Sequence, residues 1–196
     1  MRAQLFAPPW GVPEMTDAGK EAVEIIGDDV WAEASVLFYA ERDARLRLGK
    51  RAAKGMQGTI NRLLIKKFRD SGWYAKSGYF LKDDTWIRVT FRHQMSLGSD
   101  IIDAQKVCHR SGIRLAMILA ADQATLDIIS PNDSKLLVSF EKLEREIIDL
   151  DDVIDIPLLY GKLTPLSHAS RAVENQLLRK RPRDISVPRS QSNSGN

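Results

Sequence analysis

Neighbouring pairs of carboxylates are the side chains of this sequence that could hold a divalent cation for hydrolytic chemistry. Two pairs stand out, Asp83 with Asp84 and Asp100 with Asp103. The first pair lies in a polar segment between two apolar runs, where acids commonly serve the backbone of a turn. The second pair is spaced to share one face of a helix. Neither pair by itself predicts a metal site.

The segment around the first pair has the pattern of a β-hairpin. Residues 79–90 read Tyr-Phe-Leu-Lys-Asp-Asp-Thr-Trp-Ile-Arg-Val-Thr, two runs rich in aromatic and β-branched residues around a polar turn. This segment resembles, without a gap, the active-site hairpin of the BglII-like type II restriction endonucleases, which have the PD-(D/E)XK fold. In that family an Asp opens the first strand and a Glu-x-Gln lies on the second.

Three positions of the hairpin differ from the family in a way that changes its chemistry. Tyr79 stands at the Asp place, Arg88 at the Glu place and Thr90 at the Gln place. Mg²⁺ needs oxygen ligands that carry negative charge, and a fixed guanidinium repels it. We therefore expect no catalytic residue and no metal-dependent cleavage at this site. We also expect no cofactor, unless metal ligands have moved elsewhere in the chain, in which case the cofactor would be Mg²⁺.

The resemblance extends in order over about residues 60–165. The matching pieces are a helix and aromatic before the hairpin (60–73), a core strand after it (114–120), a polar loop (130–134) and a late strand that begins Asp-Ile-Pro-Leu (155–158). In the family the polar loop places Asn and Ser against bases. The resemblance thus implies that Asn132 and Ser134 contact DNA bases, although Pro-Asn-Asp-Ser is equally a turn and N-cap sequence.

Arg88 suggests a further hypothesis, which also rests on the resemblance. The metal of an active family member meets the scissile phosphate at this corner of the hairpin. A guanidinium there could replace the ion and hold the phosphate without cutting it.

Positive charge is concentrated in two parts of the chain. Residues 42–69 carry ten bases and one acid, and residues 179–196 carry five bases and one acid, whereas residues 1–41 and 70–178 are net acidic. A solvated helix usually interleaves both signs, so a one-sided run favours a face that binds a polyanion. The candidate DNA contacts in and near the first run are Arg45, Arg47, Lys50, Arg51, Lys54, Lys66 and Arg92.

Alternating helical and strand patterns predict an α/β fold, a mixed sheet flanked by helices as in restriction endonucleases. Residues 1–14 contain three prolines and predict an irregular arm. Helices are predicted over 17–26, 59–68, 100–110, 134–150 and 167–178, with a further helix from residue 31. Besides the hairpin, strands are predicted over 113–120, 124–129 and 156–163.

A chain of 196 residues predicts one domain, here 1–178, followed by a basic, polar and flexible tail over 179–196 that could bind a protein partner. We find neither an apolar run of membrane-spanning length nor a signal-peptide pattern, and therefore expect a cytoplasmic protein without a membrane partner. The single cysteine, Cys108, excludes an internal disulfide and is expected to be a small buried side chain.

Three functions remain open. The first is a catalytically inactive, DNA-binding relative of the restriction endonucleases that acts as a transcriptional regulator or occludes a site. The resemblance implies double-stranded DNA as the partner and a homodimer as the assembly. The second is an active endonuclease with relocated metal ligands. The third is a non-catalytic subunit of a nuclease or defence assembly.

Overall fold

The computed structural model describes residues 1–165 apart from 28, 52–54 and 77. The helices are α1 (Asp17–Gly27), α2 (Val30–Arg47), α3 (Gln57–Asp70), α4 (Leu97–Ser111), α5 (Gln123–Ile129) and α6 (Phe140–Asp149). The strands are β1 (Arg2–Phe6), β2 (Tyr74–Lys76), β3 (Tyr79–Lys82), β4 (Thr85–Thr90), β5 (Leu115–Ala121) and β6 (Leu158–Thr164). Short 3-10 helices cover Gln94–Ser96 and Ser134–Leu136.

The six strands form one mixed sheet in the order β1-β6-β5-β4-β3-β2. β5 lies between β4 and β6 and is parallel to both, while β1, β2 and β3 pair antiparallel with their neighbours. Every residue of β5 is buried, as expected for a strand covered by helices on both faces. The predicted mixed sheet flanked by helices is confirmed.

Two apolar cores lie on opposite faces of the sheet. One contains side chains of α1, α2, α3 and α5 packed against alternate residues of the strands, among them Phe80, Ile87 and Met117. The other contains side chains of α4 and α6 packed against the intervening residues, among them Trp86 and Ile118. Because side chains of a strand alternate between faces, Arg88 and Thr90 share the face of Trp86, on the side of α4.

The N-terminal arm was predicted wrongly over residues 2–6. These residues form β1, which pairs antiparallel with β6 at the edge of the sheet, Leu5 opposite Gly161. The three prolines that suggested an irregular arm all come after this strand, at residues 8, 9 and 13. Residues 7–16 have no regular helix or strand, so the irregular segment exists but begins later.

The strand predicted over 124–129 is instead the helix α5. The Asp122 side chain accepts a hydrogen bond from the backbone N–H of Thr125 at 2.8 Å and caps the helix. Leu126 and Ile129 are buried on one face with the three-residue spacing of a helix. The sequence does contain a signal for this helix, the capping Asp122 followed by Leu126 and Ile129 at helical spacing. The apolar composition of the segment favoured a strand instead.

Two predicted helix boundaries also need correction. The helix expected over 134–150 begins at Phe140, because Leu137 pairs with His93 and the N–H of Val138 donates to the carbonyl of Arg92. Helix α4 begins at Leu97 and not at Asp100. The helix predicted over 167–178 and the tail over 179–196 lie outside the described residues.

Candidate functional site

The hairpin lies where the sequence predicts it. β3 and β4 pair antiparallel around the two-residue turn Asp83-Asp84, and Tyr79 stands directly opposite Arg88. The turn is tight, and Asp83 takes the left-handed conformation with φ of 49 degrees. The first two positions that resemble metal-ligand places are therefore neighbours on one face of the sheet.

Arg88 is buried, with 6% of its surface exposed. Its guanidinium carbon lies 5.6 Å from the ring centre of Tyr79 and 5.9 Å from that of Trp86. Its Nε is 3.2 Å from Oδ1 of Asp100, and its Nη2 is 3.7 Å from Oδ2 of Asp103. The guanidinium therefore contacts two aromatic rings and two carboxylates, an arrangement that stabilises a buried cation.

Asp100 is the centre of this network and is fully buried. Its Oδ1 lies 2.8 Å from Nη1 of Arg92 as well as beside Arg88, and its Oδ2 accepts a hydrogen bond from the hydroxyl of Thr90 at 3.2 Å. Two arginines and the two aspartates Asp100 and Asp103 thus balance in charge. All four groups come from β4, the second residue after its end, and the first two turns of α4.

A divalent cation does not fit this arrangement. A metal at the hairpin would meet the cationic Arg88, and both oxygens of Asp100 already have protein partners. Across the described ranges, no group of three or more His, Cys, Asp or Glu side chains is placed to hold a metal ion. Asp100 and Asp103 do converge beside Arg88, which the sequence did not predict, but they act as its counterions.

The hairpin and α4 enclose an open cavity of about 360 Å³. The walls are aromatic and aliphatic at the strands, with a carboxylate and an ammonium group from α4; the lining residues are Tyr79, Leu81, Trp86, Arg88, Asp103, Lys106 and Val107. The pKa of the Tyr79 phenol is raised, mainly by a hydrogen bond with Tyr74 and to a smaller extent by burial. The positive charge of the nearby Arg88 opposes this effect. The phenol therefore stays neutral at physiological pH.

Several of the predicted DNA contacts meet at the C-terminal end of β4 and β5. The side-chain amide of Gln57 donates to the carbonyl of Phe91 at 2.8 Å, and the N–H of Met56 donates to the carbonyl of Ile129 at 2.7 Å. These bonds hold the start of α3 beside Arg92 and beside the loop that follows α5. We call this region the carboxyl edge. Its exposed cations are Arg92 and Lys135, and Lys50 and Arg51 are exposed in the segment between α2 and α3.

The remaining predicted contacts lie away from this edge or are occupied. Arg45 pairs with Glu41 at 2.8 Å on α2, and Lys66 is exposed on α3, nine residues beyond its start at Gln57. Arg47 is exposed near the end of α2. Lys54 lies outside the described residues.

The two loop residues expected to contact bases have different environments. Asn132 is exposed on the carboxyl edge, whereas Ser134 is 5% exposed. The Ser134 hydroxyl bonds the carboxylate of Asp127, and this bond is the main reason why the pKa of Asp127 is lowered. The geometry of Ser134 is that of a turn residue, and a contact between Asn132 and a base stays a prediction.

Comparisons with known proteins identify no family. The chain matches no protein-family model, and no curated protein matches it. The crystal structure of restriction endonuclease BglII complexed with a DNA 16-mer is similar to part of it, with a TM-score of 0.45 and 15% identity over 54% of this chain and 55% of that chain. Free BglII gives a TM-score of 0.42 and 17% identity over 54% and 57%. The chain thus spans a little over half the length of these structures, and the similarity assigns it neither a family nor an activity.

Proposed function

We propose that the protein binds double-stranded DNA through its carboxyl edge and does not cut it. The observation that carries the proposal is the separation of charge at the end of β4. Arg88 is buried and neutralised by Asp100 and Asp103, whereas exposed cations collect at the adjoining surface. A site of this kind has charge for binding phosphates and lacks the ligands for hydrolysis.

Binding is supported by the chemistry of the carboxyl edge. Arg92, which pairs with Asp100, and Lys135 are its exposed bases, and the exposed Lys50 and Arg51 add positive charge in the segment that precedes α3. Each phosphate neutralised by such a cation releases a condensed counterion, which favours association at low salt. Asn132, exposed on the same edge, can pair bidentately with adenine. The edge therefore combines phosphate contacts with one group able to read a base.

The absence of cleavage is supported by the environment of Arg88. Its charge already has two carboxylate partners within the protein, Asp100 and Asp103. The hypothesis that Arg88 replaces the catalytic metal and holds a phosphate stays a prediction, and these carboxylates would compete with the phosphate for the guanidinium. A protein that occupies a DNA site without cutting it would act as a regulator or protect the site. Either role requires binding in the absence of a metal ion.

The test is equilibrium binding to duplex DNA, followed by fluorescence anisotropy, with Mg²⁺ and with EDTA. We expect equal affinity in both conditions and a steep decrease with salt. Replacement of Arg51 by Gln should lower affinity and reduce the slope of log K against log salt by about 1. Arg110→Gln is the matched control, because Arg110 is an exposed base on α4, away from the carboxyl edge. Affinity that depends strictly on Mg²⁺ contradicts the proposal.

An endonuclease with relocated ligands is the second candidate, because Asp100 and Asp103 converge beside the hairpin. Supercoiled plasmid incubated with the protein and Mg²⁺ or Mn²⁺ distinguishes the two. Discrete fragments that disappear in Asp100→Asn would establish an enzyme, whereas intact plasmid supports the binding function. Failure to bind duplex DNA at low salt would leave the third candidate, a subunit that acts through a protein partner.

A further inference from the structure

Helix α2 presents an apolar stripe to solvent. Val36 is 70% exposed, Leu37 is 47% exposed and Leu48, just past the end of the helix, is 69% exposed. Ala40 and Ala44 are exposed between them. At 100° per residue these five side chains fall within an arc of about 120° on the side of the helix opposite its buried face. We call this set the α2 stripe.

The stripe differs from an ordinary solvated helix face. Exposed apolar residues are normal when scattered, but a contiguous row on one helix marks a surface that another molecule covers. The buried residues of α2, including Trp31, Ala34 and Phe38, already attach the helix to the core. Burial within the subunit therefore does not explain the exposed row.

Two opposite charges flank the stripe in a symmetric arrangement. Glu33 and Arg47 lie on the same arc, each seven residues from Ala40, and Val36 and Ala44 each lie four residues from it. Arg47 has no ion-pair partner in the part of the chain that the structure describes, and the side chain of Glu33 is 44% exposed although it contacts Lys67 at 3.2 Å. A rotation by two-fold symmetry about Ala40 exchanges the members of each pair.

We propose that the α2 stripe is an interface between two copies of this chain, with the two α2 helices packed antiparallel about Ala40. In this arrangement Ala40 meets Ala40 of the second copy, Val36 meets Ala44, and Glu33 meets Arg47. A two-fold interface is self-complementary by definition, and Glu33 and Arg47 meet that condition because each would face the opposite charge of the second copy. Small residues at the centre allow the helix axes to approach closely.

The interface has a defined register and a limited size. Seven residues along a helix correspond to about 10 Å, so the two ion pairs lie about 20 Å apart on either side of the axis. One helix pair buries less surface than a standard stable interface, so we expect a dimer in the micromolar range. This proposal places the homodimer that the sequence resemblance implies, and it does not depend on DNA binding.

Sedimentation velocity over a range of concentrations tests the interface. The wild type should show a concentration-dependent dimer, and Val36→Glu should weaken it at least about tenfold, since a charge would be buried at the centre of the contact. Val153→Glu is the matched control: Val153 is 62% exposed and lies outside the stripe. A wild type that stays monomeric, or a dimer that Val36→Glu leaves unchanged, overturns the proposal.

Charge exchange tests the antiparallel register. Glu33→Arg and Arg47→Glu should each weaken the dimer, and the double variant should recover most of the loss. Circular dichroism of the single variants checks that loss of the Glu33 contact with Lys67 leaves the fold intact. If the double variant is as weak as the sum of the single variants, the pairing is wrong.

Oxidative crosslinking tests the position of the axis. Ala40→Cys should form an intermolecular disulfide readily, whereas the wild type, which has only Cys108, should not crosslink under the same conditions. Leu37→Cys and Ala44→Cys, which lie off the axis in the proposed register, should crosslink more slowly. Faster crosslinking at either of these positions than at residue 40 contradicts the two-fold axis at Ala40.

Discussion

At the scale of single residues, Asp100 is the carboxylate that neutralises most of the positive charge at the site. It is fully buried between Arg88 and Arg92 and also accepts the hydroxyl of Thr90. Asp100→Asn keeps the shape of the side chain but leaves the buried guanidinium of Arg88 without its main counterion. We expect the free energy of unfolding to fall by about 3 kcal/mol. Urea denaturation followed by tryptophan fluorescence measures this change.

Asp103→Asn is the control for that prediction. The Asp103 side chain is 44% exposed and lies 3.7 Å from Arg88, so solvent screens its contribution. The change should cost less than about 1 kcal/mol. Equal losses for the two variants would mean that the site depends on the number of negative charges and not on the buried pair.

Cys108 provides a prediction on pH dependence. Burial raises the pKa of its thiol to about 11. At pH 8 only about one thiol in a thousand is then ionised, and labelling by a disulfide reagent should be about a hundredfold slower than in the urea-unfolded chain. Because the folded pKa lies above the unfolded one, this group stabilises the fold below about pH 9 and the stabilisation is lost as the pH rises toward 11. Rapid labelling of the native protein at neutral pH would contradict the burial of the thiol.

The sequence predicted the types of residue at the site better than their contacts. The register that sets Tyr79 opposite Arg88 follows from the two-residue turn, which the sequence displays. The pairing of Arg88 with Asp100 does not, because it depends on how α4 packs across the sheet. Residue types and spacing along one element carry no information about that packing.

At the scale of elements, Gly78, the residue before β3, lies against the backbone of β4 at Val89. It has φ of 79 degrees, and a Cβ there would lie 2.8 Å from the carbonyl oxygen of Val89. That carbonyl cannot move easily, since the N–H of Val89 also donates to the carbonyl of Gly78 at 2.8 Å. Gly78→Ala should therefore cost about 2 kcal/mol or more, from backbone strain plus the clash.

Gly72→Ala is the matched control for the contribution of the clash. Gly72 has nearly the same φ, 80 degrees, but a Cβ there would have nothing within 4 Å. Its substitution should cost about 1 kcal/mol, the strain of the left-handed conformation alone. Thermal unfolding of both variants measures the difference, and equal costs would show that the backbone near Val89 relaxes around the added methyl group.

Elements were predictable where one signal dominated. The apolar run of β5 and the hairpin around Asp83 have patterns that only one kind of structure satisfies. β1 and α5 were missed because two signals competed in each. Prolines that follow β1 obscured its alternation, and the β-branched composition of α5 obscured the cap at Asp122.

At the scale of the whole molecule, the sheet joins two cores into one unit. Each strand contributes alternate residues to the core on one face and to the core on the other, so neither core can form without the sheet. One domain over residues 1–178 stays a prediction, since the described residues end at 165. No helix in these ranges is long and apolar enough to cross a membrane.

The charge distribution has its effect at this same scale. The basic run over residues 42–69 was visible in the sequence, but its division between α2, the outer face of α3 and the segment between these helices was not. That division depends on the antiparallel packing of α2 and α3, in which Glu41 contacts Arg62 and Glu33 contacts Lys67. A linear charge count therefore predicts a polyanion partner without locating its contact surface.

Unfolding of the two cores should be a single cooperative transition. Leu64 and Leu143 are both fully buried, one in the core of α1, α2, α3 and α5 and the other in the core of α4 and α6. Leu64→Ala and Leu143→Ala should each lower the free energy of unfolding by about 3 kcal/mol, from lost apolar burial and the cavity left behind. Because the cores share the sheet, each variant should move the far-ultraviolet circular dichroism and tryptophan fluorescence transitions together. If Leu143→Ala separates the two transitions, the face that carries Arg88 and α4 unfolds on its own, and the site belongs to a separate cooperative unit.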